Sequence, residues 1–257
     1  MNENNEEISA NSKLLKFDAS IPFSHELPYD DFIAERIPVL NIFQRALCLC
    51  YQEQLFRIKA LLSLPTNNKD ANYTTEPFYA AECGVYKGSS LVACGKIAKE
   101  SGLPIQIVGL DTFSGFPDMS TLDQEIAPDD APYLNRRFFE DTSLDSVNSL
   151  VKNEALEEYI KLIPGKFSDS FKKMHGRKYF FVNLDCDLYD AHMECLEYFY
   201  PRMNKGGIVF FDDYDSLHYP HAKQAIDEFM QTKPERLFHI RYGKDEKNHT
   251  KAFIVKF

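Results

Sequence analysis

The sequence predicts an α/β fold, with a mostly parallel sheet that carries helices on both faces and ends in an antiparallel hairpin. From residue 78 onward, short apolar runs alternate with segments of helical periodicity. This alternation is typical of a parallel sheet covered on both sides. The last two apolar runs, residues 236–242 and 251–257, are joined by residues 243–250 alone. Because this loop is too short for a crossover helix, the two runs should pair antiparallel.

Seven strands are expected in this sheet. The five parallel ones are predicted at residues 78–83, 105–110, 159–163, 179–184 and 208–211, and the hairpin adds two more. Ahead of them, apolar positions recur at helical spacing over residues 32–64, which predicts one long helix or two shorter ones.

The chain is therefore divided into three parts. Residues 1–12 are polar and predicted to be a disordered tail. Residues 13–75 form a helical extension, which either acts as a lid over the ligand site or makes a subunit contact in a homo-oligomer. Residues 76–257 form the ligand-binding α/β domain, and 257 residues with 44% hydrophobic side chains suffice for its core.

Charge and composition restrict the partners. Acidic residues outnumber basic ones by 39 to 29, and the net charge of −10 would repel a phosphate backbone, so nucleic acid is not expected. Residues 1–12 lack the features of a secretory signal, and no run approaches the roughly 18 apolar residues of a membrane span. We expect a cytoplasmic chain whose six cysteines, without C-x-x-C pairs, are reduced.

A glycine-rich turn follows the first predicted strand, in the segment AECGVYKGSS that begins at Ala81. Gly84 and Gly88 allow a sharp turn close to a ligand, and Ser89 and Ser90 are candidates to cap the next helix. The Glu82 carboxylate suits the ammonium of a methionine moiety and would repel a pyrophosphate. The spacing also differs from G-x-G-x-x-G, which disfavours a nicotinamide cofactor. The alternative is a turn whose glycines serve packing alone.

Polar residues also follow the second and third strands. Asp111 lies 29 residues after Glu82, one strand-helix-strand unit later, where a carboxylate accepts hydrogen bonds from both hydroxyls of a ribose. After the third strand, Phe167 suits the face of an adenine and Ser168 or Asp169 its edge. The alternative for Ser168 is an ordinary helix cap.

Two aspartate clusters follow the fourth and fifth strands. NLDCDLYD contains Asp185, Asp187 and Asp190, and FFDDYD contains Asp212, Asp213 and Asp215. Neighbouring parallel strands lie about 4.8 Å apart, so residues leaving them at one edge come together. Carboxylates this close repel one another unless a cation lies between them, and Mg²⁺ suits an oxygen ligand set. Such a cation favours deprotonation of a bound hydroxyl. The alternative is that these aspartates only cap helices and decorate loops.

These segments resemble the macrocin O-methyltransferase family, which methylates sugar hydroxyls in natural products. The resemblance is carried by AECGVYKGSS, LDTFSGFP, IPGKFSDSF, the stretch from NLDCDLYD to FFDDYD, and HAKQAIDEF, over about residues 78–230. More distantly, E-x-G-x-Y-x-G-x-S is similar to the turn of catechol O-methyltransferase. The resemblance implies a class I, Rossmann-like methyltransferase fold, S-adenosylmethionine as methyl donor, Mg²⁺, and a sugar-containing small molecule as acceptor.

The resemblance also implies site residues. The metal ligands would be Asp185, Asp212 and Asp213. The cofactor would contact residues of the turn, of the segment after the second strand and of the two later strand ends: Glu82, Cys83, Gly84, Val85, Tyr86, Gly88, Ser89, Ser90, Asp111, Thr112, Phe113, Gly115, Phe167, Ser168 and Asp185.

One position departs from the pattern of the catechol enzymes. They carry a lysine base three residues after their first metal aspartate, and this chain has Leu188 there. Our hypothesis is that Asp185 accepts the proton, and His192 and His218 are rival bases. The long acidic loop of residues 117–132 is a second candidate wall for the acceptor.

Three other functions stay open at this level. A catechol-type phenol methyltransferase would differ in its pocket rather than in its motifs. A non-catalytic cofactor-binding protein would keep the glycine turn without the aspartates. A nicotinamide-dependent oxidoreductase is disfavoured by the glycine spacing and by the terminal hairpin.

Overall fold

The computed structural model describes residues 31–62, 76–117, 119, 122–123, 139–174, 176–216, 219–242 and 249–257. The predicted disordered tail, the connector before residue 76 and most of the loop at 117–132 lie outside these residues. Among the helices that are described, none is both long and apolar enough to cross a membrane.

A seven-stranded sheet with the predicted hairpin forms the centre of the fold. Its strands are β1 (Phe78–Cys83), β2 (Ile105–Asp111), β3 (Ile160–Pro164), β4 (Tyr179–Leu184), β5 (Met203–Phe211), β6 (Phe238–Tyr242) and β7 (His249–Val255). The strand order is β3-β2-β1-β4-β5-β7-β6. Strands β1 to β5 are parallel, and β7 pairs antiparallel with both β5 and β6. The predicted α/β class is confirmed.

The helices are α1 (Asp31–Leu62), α2 (Ser89–Ser101), α3 (Leu144–Asn153), α4 (Phe167–Phe171), α5 (Tyr189–Phe199) and α6 (Pro220–Met230), with a 3₁₀ turn at Tyr200–Arg202. Residues of α1, α2 and α3 pack in the hydrophobic cluster on one side of the sheet. Residues of α4, α5 and α6 pack in the cluster on the other side. Helices therefore cover both faces, as the apolar strands require.

The predicted strand bounds hold at β1 and β4 and need correction elsewhere. β5 begins at Met203, five residues before the expected start, because a register shift between β4 and β5 accommodates the polar start of the strand. Gly206 N there donates to Lys256 O, and Lys256 N donates to Gly207 O. The hairpin strands are also displaced from residues 236–242 and 251–257, to 238–242 and 249–255.

The amino-terminal extension is one helix in its described part, and Pro38 lies inside it. Its apolar face packs on the sheet, where the Phe43 ring meets the Phe181 ring edge-on at 5.1 Å between centroids. Val39, Phe43 and Leu47 are fully buried. None of the described α1 residues lines the cavity reported below. This helix is therefore part of the core, and its roles as a lid or a subunit contact stay predictions.

Candidate active site

The turn after β1 brings the chain into contact with the end of β4. Gly84 has φ +88°, and its N donates to Leu110 O at 2.9 Å. A Cβ atom at this position would lie 1.7 Å from the backbone oxygen of Asp185. Only a glycine fits such an approach, so the predicted glycine turn and the first aspartate cluster are adjacent.

Asp111 at the end of β2 holds this turn in place. Its Oδ2 accepts hydrogen bonds from Val85 N at 2.7 Å and from Tyr86 N at 2.8 Å. Its Oδ1 accepts from Phe113 N at 2.7 Å. A carboxylate has about four lone-pair positions. Most of the capacity of Asp111 is therefore used inside the protein, and its part in binding a ribose stays a prediction.

Glu82 has a different environment from the one expected. Its side chain is 2% exposed and accepts a hydrogen bond from Ser90 Oγ at 2.6 Å. Ser90 therefore holds this carboxylate in place. The prediction that Ser89 or Ser90 caps α2 is wrong, because the N-cap of α2 is Gly88 and no side chain makes a cap hydrogen bond. Glu82 does not line the cavity. Its direct contact with a methionine ammonium stays a prediction.

A cavity of about 580 Å³ runs along the carboxyl ends of the strands. Ten of the predicted site residues line it: Gly84, Tyr86, Asp111, Thr112, Gly115, Phe167, Ser168, Asp185, Asp212 and Asp213. The other predicted residues do not line it: Glu82, Cys83, Val85, Gly88, Ser89, Ser90 and Phe113. The structure therefore brings the predicted residues at the strand ends together around one cavity.

The three predicted metal ligands form one cluster. Asp185, Asp212 and Asp213 each offer a carboxylate oxygen, and these oxygens all lie within 4.8 Å of one another. The backbone explains the proximity, because Asp212 N donates to Leu184 O at 2.9 Å and continues the pairing of β4 with β5. The Oδ1 atom of Asp212 is buried and has no hydrogen-bond partner among the residues that the structure describes. An all-oxygen set with an unsatisfied ligand atom fits a hard divalent cation.

Burial makes the cluster electrostatically costly without such a cation. Burial raises the pKa of Asp213 to about 6, with a further increase from Asp212 and an opposing effect of His192. The pKa of Asp187 is also raised, first by burial and then by Asp213 and Asp185. The Asp187 backbone, at φ +61°, donates its N–H to Asp213 Oδ2 at 2.9 Å. Both carboxyl groups therefore gain from a nearby positive charge.

The remaining aspartates and the rival bases differ in whether they line the cavity. Asp187 and Asp190 line the cavity, whereas Asp215 is exposed and does not. His192 is fully buried, with Nδ1 at 3.0 Å from Leu188 O and 3.5 Å from Cys186 Sγ, and it does not reach the cavity. This position argues against His192 as the base. His218 lies outside the described residues.

Two features of the site were missed by sequence reasoning. One is Lys251 in β7, whose ammonium forms an ion pair with Asp212 Oδ2. The other is a wall of aromatic rings, in which Phe116 lies edge-on to Phe139 at 4.9 Å and to Tyr219 at 6.0 Å. The aromatic residues are far apart in the sequence, so only the fold reveals them as a group. Lys251 gave one signal, as a lone charge at the start of an apolar strand.

Comparisons with known proteins agree with this architecture. The family profile described as Macrocin-O-methyltransferase (TylF) matches residues 71–240. Demethyldecarbamoylnovobiocin O-methyltransferase of Streptomyces niveus is 27% identical over 175 residues, which are 67% of this chain and 65% of that protein. Mycinamicin III 3''-O-methyltransferase of Micromonospora griseorubida is 27% identical over 154 residues, 58% of each. The chain thus spans less than two thirds of the length of these relatives.

Solved structures show the same fold. The O-methyltransferase NovP superposes with a TM-score of 0.58 at 23% identity, over 70% of this chain and 72% of NovP. The calicheamicin methyltransferase CalS11 superposes with a TM-score of 0.55 at 20% identity, over 99% of this chain and 94% of CalS11. Since the family profile covers well over half of the sequence, this chain belongs to the macrocin-O-methyltransferase family.

Proposed function

We propose that this protein is an S-adenosylmethionine-dependent O-methyltransferase that uses a divalent cation, Mg²⁺, to methylate a hydroxyl group of a sugar or sugar-containing small molecule. The observation that carries the proposal is a single cavity that joins the Gly84 turn to the three carboxylates of Asp185, Asp212 and Asp213. A methyl donor over the turn and a hydroxyl beside the carboxylates would then be neighbours.

The cavity wall offers groups for each part of the donor. All six of these groups line the cavity: in this proposal Phe167 and Ser168 would face the adenine, Thr112 and Gly115 the ribose, and Gly84 and Tyr86 the methionine moiety. The Gly84 turn contacts the Asp185 backbone, so the reactive end of the donor would lie next to the first carboxylate. Proximity of this kind is a large part of catalysis in a transfer reaction.

In our mechanism, Asp185 accepts the proton of the acceptor hydroxyl. The donor would supply a methyl carbon on a sulfonium, and the cation would supply positive charge that favours the deprotonated hydroxyl. Asp212 and Asp213, which follow β5, and Asp185, which follows β4, would hold the cation between them. Leu188 occupies the position of the catechol enzymes' lysine, so the proton acceptor must come from elsewhere in the cavity.

The acceptor class is supported by the aromatic wall and by the relatives. Phe116, Phe139 and Tyr219 line the cavity and present rings that suit the C–H face of a sugar. The relatives in Streptomyces niveus and Micromonospora griseorubida are named for O-methylation of natural products. A third, from Streptomyces olivaceus, is a 4'-O-methyltransferase whose name specifies a rhamnosyl group; it is 25% identical over 155 residues, 57% of this chain and 59% of that protein.

The test combines binding and turnover. Titration calorimetry with S-adenosylhomocysteine, with and without Mg²⁺, should show binding of both ligands. Asp185→Asn should abolish methylation of a panel of glycosylated acceptors and leave the affinity for S-adenosylhomocysteine nearly unchanged. Asp215→Asn is the matched control, because Asp215 is exposed outside the cavity, and it should retain full activity.

Two results would contradict the proposal. Full turnover by Asp185→Asn would remove this residue as the proton acceptor. Binding of S-adenosylhomocysteine without any effect of metal, and without methylation of any acceptor, would instead favour a non-catalytic cofactor-binding protein.

A further inference from the structure

A buried lysine lies against the carboxylate cluster. Lys251 is 1% exposed, and its Nζ is paired with Oδ2 of Asp212, whose side chain is only 8% exposed. The pairing follows from the register of β7 on β5, in which Ala252 lies opposite Phe211. The residue before Ala252 is thereby placed beside the residue after Phe211.

The pairing leaves the two oxygens of Asp212 in different states. Oδ2 is held by the ammonium, and Oδ1 is buried without a hydrogen-bond partner among the described residues. A carboxylate anchored through one oxygen has a fixed orientation, so the other oxygen is presented in one direction. Groups that hydrogen-bond to a metal-ligating carboxylate commonly set its geometry in this way.

The net charge of the cluster also favours a role for Lys251 at the cation site. Three carboxylates brought together carry three negative charges when ionised, and one ammonium reduces that sum to two, which a divalent cation neutralises. A buried carboxylate without a counter-charge would be costly. Lys251 allows Asp212 to remain in the cluster before and after a cation binds.

We propose that Lys251 is a positioning residue, which acts through Asp212 to complete the divalent-cation site. This inference rests on the proposed function, because it requires that the three carboxylates bind a metal. It goes beyond the family relationship, since the family match ends at residue 240 and does not include β7. A purely structural ion pair would contribute to folding without any effect on metal affinity, and this difference is what the experiment measures.

The experiment is titration of Mg²⁺, and of Mn²⁺ as a second probe, into the protein saturated with S-adenosylhomocysteine. Lys251→Met keeps most of the length of the side chain and removes its charge. We expect the metal dissociation constant to rise about 10- to 100-fold, the range typical for lost partners of ligating side chains. The affinity for S-adenosylhomocysteine should change by less than about threefold. Lys251→Arg keeps a cationic donor and should retain most of the metal affinity.

Two control variants test whether the change in metal affinity is specific to the pair of Lys251 and Asp212. Lys256→Met removes another partly buried lysine near the end of the chain, paired with Glu235, and should leave metal affinity unchanged. In an Asp212→Asn background, Lys251→Met should weaken metal binding by no more than about threefold, because the partner through which it acts is gone. The double variant also removes both buried charges, so it remains informative if Lys251→Met alone does not fold.

The outcomes separate the two proposals. If the unaltered protein binds metal and Lys251→Met binds it equally or more tightly, the positioning role is overturned and the proposed function stands. A tighter constant would mean that the ammonium competes with the cation. If the unaltered protein binds no divalent cation, the metal requirement and the role of Lys251 are both overturned.

Discussion

Replacement of Gly84 by alanine tests the contact between the two halves of the site. An added Cβ would lie 1.7 Å from the Asp185 carbonyl oxygen, and real contacts of this kind are essentially never shorter than 3.0 Å. The turn and the end of β4 must therefore separate by about 1.3 Å, the difference between these two distances. The shift endangers the bond from Asp185 N to Cys83 O, now 2.9 Å, which contributes about 1 kcal/mol.

The backbone conformation adds a second cost. Gly84 has φ +88°, and an L-residue in a left-handed conformation costs roughly 1–2 kcal/mol. Together with the lost hydrogen bond and the displaced strand end, we expect a loss of about 2–4 kcal/mol in the free energy of unfolding. Urea denaturation followed by circular dichroism measures this quantity. Binding of S-adenosylhomocysteine should weaken in parallel, because the displaced turn lines the cavity.

Gly102→Ala is the matched control for this experiment. Gly102 also has a positive φ, +66°, but an added Cβ there meets nothing within 4 Å. The free energy of unfolding of Gly102→Ala should therefore fall only by the cost of the left-handed backbone, roughly 1–2 kcal/mol, and its cofactor affinity should not change. Equal losses of stability in the two variants, or unchanged ligand binding in Gly84→Ala, would refute the idea that close approach of Asp185 requires this glycine.

Two further predictions concern Glu235, which binds Lys256, and Phe167 in the cavity wall. Burial raises the pKa of Glu235, but hydrogen bonds from Lys256 and Tyr200 outweigh this effect and lower the pKa to about 2. The contribution of ionised Glu235 to the free energy of unfolding is therefore fully present above about pH 4.5 and is lost as the pH falls toward 2. Glu235→Gln should cost up to about 3 kcal/mol at pH 7 and progressively less in acid, and a pH-independent difference in urea titrations would contradict this. Phe167→Ala should weaken S-adenosylhomocysteine about two- to tenfold in calorimetry, with metal affinity unchanged. Phe238→Ala, which removes a half-exposed ring stacked on the hairpin, should leave both affinities unchanged. Equal binding of S-adenosylhomocysteine by the two variants would exclude Phe167 from the adenine site.

The sequence predicted the order of the strands along the chain, their direction and the convergence of the aspartates that follow β4 and β5. The apolar runs of β1 and β4 predicted both strands to the residue, because strands buried on both faces are nearly continuous hydrophobic stretches, interrupted here by Glu82 and Asn183. The aspartates that follow β4 and β5 were correctly expected to converge, since adjacent parallel strands leave the sheet at one edge. These predictions rest on local pattern and on spacing alone.

Side-chain direction was harder to predict. Glu82 was expected to bind a methionine ammonium because it precedes the glycine turn. That role stays a prediction, and the structure adds a hydrogen bond from Ser90 that the sequence did not reveal. Alternation decides the direction of a side chain along a strand, and it gives little information where both faces are buried. Asp111 similarly bonds to backbone amides of the neighbouring turn, a partner that no single segment of sequence contains.

The antiparallel direction of β7 explains why Lys251 reaches the site. In a parallel sheet, each strand delivers its last residues to the carboxyl edge, as β4 and β5 do with Asp185 and Asp212. β7 runs the opposite way and delivers its early residues to the same edge, so Lys251, the third residue of the strand, lies beside Asp212. A parallel sixth strand would place its own end there and leave Lys251 at the far side of the sheet. The reversed hairpin thereby places a cationic side chain against the Asp212 carboxylate.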